Sequence, residues 1–210
     1  MEKLKKLKKI INNYKIDGYI IPKNDEFFGE YLPNFKDNLK FISNFSGSYG
    51  FALILKTKNY LFVDGRYTLQ AKNQSGKMFK IITLPKKIPA DVLKNKKLSI
   101  GFDPKLHTEF MLNRFFKKNS CNLQPINENL INKIWKRKNI QKTNKFYILK
   151  NKDSGESSQN KISKLSKMLI QNKLNFQFIS SPENIAWLLN IRGGDSEFAP
   201  IPNSYLIIGN

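Results

Sequence analysis

Leu4, Leu7, Ile10, Ile11 and Tyr14 recur at spacings of three and four through Glu2 to Lys15, with lysines between them. This is one apolar stripe of an amphipathic helix. After Asp17-Gly18 the period shortens, and the apolar run Tyr19 to Ile21 predicts a strand on which the helix packs. Beyond Pro22, the residues Asn24, Asp25 and Glu26 predict a helix start, and Gly29 to Lys40 reads as an irregular surface loop around Pro33. The clearest strand signal lies further on. Phe51 to Leu55 and Tyr60 to Val63 are apolar runs joined by the polar link Lys56 to Asn59, the pattern of a β-hairpin. A glycine-bearing loop, Ser46-Gly47-Ser48-Tyr49-Gly50, leads into this hairpin, and Asp64-Gly65-Arg66-Tyr67 leads out of it.

The alternation continues along the chain. Tyr67 to Asn73 predicts a short helix, Phe79 to Thr83 a strand, and Pro85 to Pro89 a turn with a proline at each end. Ser99 to Phe102 predicts a strand broken by Asp103-Pro104. Thr108 and Glu109 then open a helix through Phe116 with the apolar stripe Phe110, Met111, Phe115 and Phe116. Leu123 to Ile126 predicts another strand, followed by a helix carrying Leu130, Ile131, Ile134 and Trp135. Strands alternating with helices imply an α/β fold: a mostly parallel mixed sheet with a central antiparallel hairpin, flanked by helices. The basic, polar run from Lys136 to Thr143 reads as a linker between a domain at 1–140 and a second at 141–210.

The second part repeats the first. LKKIINNYKIDGYII from Leu7 aligns without a gap to LSKMLIQNKLNFQFI from Leu165, so that Ile16 matches Leu174 and Ile21 matches Ile179 at an offset of 158. A second block, Leu39 to Leu55, matches Leu188 to Ile208, with Asn44 over Asn190 and Gly47 over Gly193 at an offset of 146, and SYGFALIL facing NSYLII. The first copy therefore holds 12 extra residues, which belong in the loop around Pro33. Two blocks in one order imply a domain duplicated in tandem. On that reading the second copy stops at Leu206-Ile207-Ile208-Gly209-Asn210, an apolar strand with no partner on one side, and the expectation is a truncated second domain in a longer protein.

Composition narrows the classes. The 210 residues are 40% hydrophobic and 12% aromatic, enough for packed cores. No apolar run approaches the roughly 20 residues of a membrane span, and the amino terminus lacks a secretory h-region. The single cysteine, Cys121, excludes an internal disulfide and fits a cytoplasmic location. There are 37 basic residues against 16 acidic ones, a net charge of +21. Such a charge suits nucleic acid or an anionic surface. Yet only Arg66, Arg114, Arg137 and Arg192 are arginine, and bidentate phosphate and base recognition favours arginine. The lysines are spread from Lys3 to Lys173 among many Asn and Ile, a bias that AT-rich coding also produces. A solvated basic surface, with no specific nucleic-acid site, is the expectation. The basic first helix lacks arginine and runs straight into a strand, so it reads as packed on a sheet rather than as a membrane anchor.

FISNFSGSYGFALIL from Phe41 and FVDGRYTLQA from Phe62 resemble the first domain of the cytosolic Xaa-Pro aminopeptidase (aminopeptidase P) family, in the creatinase and prolidase superfamily. Further matches follow in order. GFDPKLHT from Gly101 resembles the family's Gly-hydrophobic-Asp-Pro turn and ENLINKIW from Glu128 its domain-closing helix. GESSQNKISKL from Gly155 resembles the start of its second domain, and SPENIAWLLNIRGGD from Ser181 that domain's signature. The chain departs from the family where Lys136, Arg137 and Lys138 replace acidic and proline residues after the tryptophan.

The resemblance implies a creatinase-type amino-terminal domain with a ribonuclease H-like motif. It also implies a dimeric parent hydrolase acting on proline-containing peptides. Its catalytic chemistry is implied to reside in a carboxy-terminal pita-bread domain holding two divalent ions, manganese or zinc, through two aspartates, a histidine and two glutamates. That domain is absent from these 210 residues, and so is a catalytic or metal set. His107 is the only histidine, and it reads as a structural or exposed residue before the helix cap Thr108. Cys121 reads as a packed thiol. Ser46 to Gly50 lacks the Gly-Lys-Ser/Thr end of a phosphate loop and reads as a glycine turn feeding a strand, while Asp153-Ser154-Gly155-Glu156 reads as a helix start. Arg66 and Arg192 each sit beside a glycine turn at a strand end. Each either pairs with its neighbouring aspartate or, as the resemblance implies for loops facing the cleft, holds substrate. A prolidase- or creatinase-type hydrolase and a stand-alone basic binding module remain alternatives.

Overall fold

Strands buried on both faces build the central sheet of unit one. The computed structural model describes residues 1–29, 31–94, 96–116, 120–137 and 144–210. Most of the expected linker, residues 138–143, lies outside them. The chain divides into two units, Met1–Glu26 with Asn34–Asn139, and Phe27–Pro33 with Ile140–Asn210.

In unit one the elements are α1 (Glu2–Asn13), β1 (Gly18–Pro22), α2 (Asn38–Ser43), β2 (Gly50–Leu55), β3 (Asn59–Asp64), α3 (Thr68–Ser75), β4 (Lys80–Leu84), α4 (Pro89–Leu93), β5 (Ser99–Phe102), α5 (Glu109–Phe116) and β6 (Asn122–Pro125). The strands form one sheet in the order β4-β3-β2-β1-β5-β6. Pairings β1–β2 and β2–β3 are antiparallel, and β3–β4, β1–β5 and β5–β6 are parallel. This is the mixed sheet with a central hairpin that the periodicity predicts.

Side chains leave a strand on alternate faces, and both faces here are buried. Tyr19, Ile21, Ala52, Ile54, Leu61 and Val63 meet Leu4, Leu7 and Ile11 of α1. Ile20, Phe51, Leu53, Tyr60 and Phe62 meet Leu93 of α4 and Phe115 and Phe116 of α5. Leu7 and Ile11 have no exposed surface, and burying each contributes about 1.5–3 kcal/mol. A charge at Leu7 would lose that term and strand itself in the core.

Several local expectations give way to tertiary contacts. Asn24, Asp25 and Glu26 start no helix, because their side chains are drawn into a polar network. Asn24 Nδ2 donates to the Leu106 carbonyl, and the Lys36 ammonium meets Asp25 and Glu26. The expected loop Gly29–Lys40 instead ends in α2, capped by Asp37, whose side chain accepts from the Lys40 amide and also meets Lys23. Pro89 opens α4 rather than closing a turn. Phe110, expected in the apolar stripe of α5, is 73% exposed. The expected helix through Trp135 is only a 3₁₀ turn, Leu130–Lys133. Asn129 caps it through the Ile131 amide, Leu130 N–H donates to the Tyr19 hydroxyl, and the chain then straightens so that Trp135 stacks on Phe41.

Unit two carries β7 (Phe146–Ile148), α6 (Asn151–Ser154), α7 (Ser158–Gln171), β8 (Phe176–Ile179), α8 (Pro182–Leu189), β9 (Ile191–Gly193) and β10 (Leu206–Gly209). The helix start expected at Asp153 to Glu156 lies instead at the N-cap Ser157, because Gly155 takes a left-handed conformation (φ 75°) that ends α6. β8 pairs with β10 and β7 with β9, both antiparallel. Leu169, Leu188 and Ile208 form a small core on one face of β8–β10, while Phe178 and Ile207 on the other face are exposed.

Two local steps recur in the two units. The helix–strand steps α1–β1 and α7–β8 align at an offset of 158, and the residues between helix and strand repeat a left-handed conformation at Lys15 (φ 54°) and Lys173 (φ 57°). Asn44 and Asn190 end α2 and α8 in the same conformation, at an offset of 146. Fifteen residues lie between β1 and α2 and two between β8 and α8, which places the extra residues where the loop around Pro33 was expected. The second strand shifts the alignment. Gly18 pairs with Leu55 and Phe176 with Gly209, so Leu55 corresponds to Gly209 rather than Ile208.

Candidate functional site

One end of the unit-one sheet gathers the start of β2 and the carboxyl ends of every other strand. Gly50 pairs with Val63 and Pro22 with Phe51, while β4, β5 and β6 run parallel to their neighbours. Open α/β sheets hold ligands at this end, in the crevice where strand order reverses.

The two polar corners of the hairpin meet there. Asp64 accepts from both the Arg66 amide and Arg66 Nε, each at 2.9 Å, which folds Gly65–Tyr67 into a 3₁₀ turn. Tyr67 packs edge-on against Phe45 at 5.9 Å and its hydroxyl lies 2.7 Å from Ser48 Oγ. Ser46 is fixed from α3, its amide donating to Gln74 Oε1 and its hydroxyl accepting from Gln70 and Gln74, all at 2.9 Å. Glycine at position 47 lets the loop pass against the Phe45 ring, which a Cβ there would overlap. The result is a braced corner with one exposed cation at its tip.

The Arg66 side chain is 73% exposed, and its guanidinium carbon lies 5.4 Å from the Tyr67 ring centroid. Hydrogen bonds from the Arg66 amide, then from its side chain, hold the Asp64 carboxyl below the usual carboxylate range. The same side-chain bond raises the guanidinium pKa, so both groups stay ionised. Only Nε is committed. Neither terminal nitrogen of Arg66 bonds to a described residue, so a planar two-donor edge is open to a carbonyl or carboxylate.

Arg192 lies in unit two and is oriented differently. Its Nη1 donates to the carbonyls of Ala186 at 3.1 Å and Ile191 at 2.8 Å, closing the carboxyl end of α8. Asp195, the neighbour expected as its partner, accepts instead from the Asn203 amide. His107 sits half-buried with Nδ1 2.9 Å from the Asp103 carbonyl oxygen, and burial lowers its pKa. The Cys121 thiol donates to the Lys96 carbonyl, and burial raises its pKa. Neither has the surroundings of a nucleophile. Among the described residues no three His, Cys, Asp or Glu side chains are grouped to hold a metal ion, and no helix is long and apolar enough to cross a membrane.

Sequence reading missed the arginine with the most elaborate setting. Arg137 donates to the Phe35 carbonyl and to the side chains of Asn132 and Asn38, and its guanidinium carbon lies 4.8 Å from the Trp135 centroid. Its rarity as one of four arginines was the available signal.

This mixed-sheet domain, with a braced polar corner and no metal set among its described residues, is of a recognised class. The creatinase/prolidase N-terminal domain matches residues 3–134, and a second model of the same description matches residues 136–210. The chain belongs to the creatinase/prolidase N-terminal domain family. Within it, a Laccaria bicolor protein named "Probable Xaa-Pro aminopeptidase P" is 32% identical over 218 residues, covering 99% of this chain and 34% of the relative. Aminopeptidase P1 of Lotus japonicus is 30% identical over 200 residues, covering 92% of this chain and 30% of the relative. The solved X-prolyl aminopeptidase of Caenorhabditis elegans, described as a cytosolic enzyme with a di-nuclear active site, superposes with a TM-score of 0.87 at 28% identity, covering 99% of this chain and 37% of that one. The chain thus spans about a third of the length of the relatives it matches.

Proposed function

We propose that this chain is the amino-terminal, noncatalytic part of an Xaa-Pro aminopeptidase, a metal-dependent hydrolase that removes the first residue from peptides with proline in second position. The observation that carries this reading is likeness over the whole length: 32% identity to a protein of that name and a TM-score of 0.87 to a solved one, each across 99% of the chain. The substrate class has a physical logic. Proline lacks a backbone N–H and has a fixed φ, so it evades sites that need that donor.

In this reading two divalent ions, manganese or zinc, act in a catalytic region outside these 210 residues. The described carboxylates do not fit such a pair, and no metal step is assigned to them. Arg66 holds the peptide, with Asp64 fixing the guanidinium so that its open edge faces a substrate oxygen. Arg192 instead keeps the turn after α8 in place. Residues 1–140 form the first domain and residues from 141 begin a second built on the same path, a reading supported by the repeated left-handed positions. The parent works in the cytoplasm as a homodimer, without specific nucleic acid or membrane.

A chimera tests the proposal. This chain replaces the corresponding amino-terminal part of the Caenorhabditis elegans enzyme, and hydrolysis of an Xaa-Pro peptide is followed with manganese and with chelator. Activity above that of the nematode catalytic part alone, with none from this chain by itself, is the expected result. A folded chimera no more active than the catalytic part alone rejects it.

A further inference from the structure

The turn at Gly65–Tyr67 has its backbone fixed from both flanks. Ahead of it, the Asp64 carboxylate accepts from the Arg66 amide. Behind it, Thr68 Oγ1 donates to the Gly65 carbonyl at 3.2 Å, which makes Thr83 Oγ1 of β4, 3.1 Å away, the donor to Thr68. The Arg66 side chain is another matter. It is 73% exposed and meets Asp64 through Nε alone. One N–H···O bond lets the guanidinium plane swing about the axis of that bond, so a group that must present its terminal nitrogens in one direction needs a second restraint.

Tyr67 supplies it. The guanidinium carbon stands over the Tyr67 ring, 5.4 Å from its centroid, within the reach of a cation–π contact. The ring is pinned at two other points. Its edge meets Phe45, which has no exposed surface, with centroids 5.9 Å apart and planes at 77°. Its hydroxyl lies 2.7 Å from Ser48 Oγ, on the loop before β2. The Phe45 contact accounts for the half-burial of the ring, and an aliphatic side chain would also fill that space. The hydroxyl bond and the cation over the ring add nothing to the core, because Ser48 and Arg66 are both exposed.

We infer that Tyr67 is a positioning residue for Arg66, and that Ser48 holds it to that task. With Nε closed by Asp64 and one face closed by the ring, the guanidinium meets a ligand through its terminal nitrogens or its other face, and a peptide oxygen is confined to those approaches. The inference rests on the reading of Arg66 as the group that holds the peptide. It makes the loop before β2 part of the same device, since a change at Ser48 reaches Arg66 through the ring.

The Arg66 Nε–H proton lies beside the ring current of Tyr67, so in the purified chain Tyr67→Leu should move its NMR resonance. Ser48→Ala, at an exposed site, frees the ring without emptying the core. It should move the same resonance in the same direction by less, and it keeps the proposal testable where Tyr67→Leu does not fold. With the nematode catalytic part attached, Tyr67→Leu should lower kcat/KM for an Xaa-Pro peptide about three- to fivefold, the scale of an exposed cation–π contact. Tyr67→Phe, which keeps the ring, should lose less. In an Arg66→Met background, where no cation is left to hold, Tyr67→Leu should cost nothing further. A resonance unmoved in both Tyr67→Leu and Ser48→Ala, or a Tyr67→Leu loss that persists in full beside Arg66→Met, would overturn the proposal and leave the role of Arg66 standing. Unaltered kcat/KM in Arg66→Met alone would overturn that role and this one with it.

Discussion

The ammonium of Lys161 donates to the Trp187 carbonyl oxygen at 2.8 Å and lies 4.3 Å from the centroid of the same residue's indole ring. Its remaining partner is Asn190 Oδ1 at 2.7 Å. In unit one Lys3 does the same to Phe41, donating to its carbonyl at 3.0 Å with the ring centroid at 4.3 Å. Each cation closes the carboxyl end of a short helix, where unpaired carbonyls and the helix dipole favour positive charge, and each also rests on an aromatic face. The two differ in burial: Lys161 is 5% exposed and Lys3 is at the surface.

Lys161→Met should therefore cost about 1–3 kcal/mol, because it keeps the stem's volume and leaves the buried Asn190 Oδ1 without its donor. Lys3→Met should cost less than about 1 kcal/mol, water replacing the lost donor. Denaturant unfolding, followed by Trp187 fluorescence for Lys161→Met in a Trp135→Phe background and by Trp135 fluorescence for Lys3→Met in a Trp187→Phe background, reads the difference. Equal effects at the two positions would refute the assignment of burial as the cause.

Arg66→Lys, made with the catalytic part attached, should lower kcat/KM roughly ten- to a hundredfold, since an ammonium keeps the charge but loses the planar fork. The unfolding midpoint should stay put, because the Asp64 pair is exposed and contributes little to stability. Activity within about twofold of the parent would leave Arg66 a corner residue only.

His107 sets a pH window. Burial lowers its pKa from 6.5, opposed by its bond to the Asp103 carbonyl and by the Asp103 carboxylate. The unfolded chain thus binds this proton more readily than the folded one. Stability from the neutral ring is complete above about pH 6.5 and is lost as pH falls towards the folded pKa. Asp17, held low by the Ser99 amide and then Lys56, titrates well below that window, and there is no second histidine. Between pH 7.5 and 5.5 the unit-one midpoint should drop by about 2 °C or more, and His107→Asn should flatten the drop. Parallel curves for parent and variant would show that another group titrates there.

The charge of +21 should give nucleic-acid binding that is weak and indifferent to sequence. A random duplex retained at about 50 mM salt should be released by about 200 mM, as counterion release requires. Filter binding across that range checks it. A sequence-selective complex that survives the higher salt would return the chain to the class of basic binding modules.

Features decided by neighbours in the chain were legible in sequence. β5 runs from Ser99 to Phe102 as the apolar pattern predicts, because Asp103-Pro104 stops it locally. The Asp64–Arg66 pair was readable for the same reason, the partners being two residues apart. Asn24 to Glu26 carried every local sign of a helix start, yet Lys36, ten and eleven residues on, recruits both carboxylates. Arg192 was misjudged because its nearest carboxylate, Asp195, is engaged by a backbone amide eight residues further on. Arg137 disappeared into a basic run. Its acceptors Phe35 and Asn38 lie about a hundred residues earlier, and no local window connects them.

A sheet buried on both faces also determines where mutational drift can accumulate. Of the strands, only β4 at the sheet edge contains a lysine, Lys80, and it is exposed. Lys161 is the one buried lysine among the described residues. Polar substitution is thereby confined to the helices and loops, while the interior is valine, isoleucine, leucine and phenylalanine. The lysine content of this protein is carried by its surface, and the sheet of unit one is insulated from it.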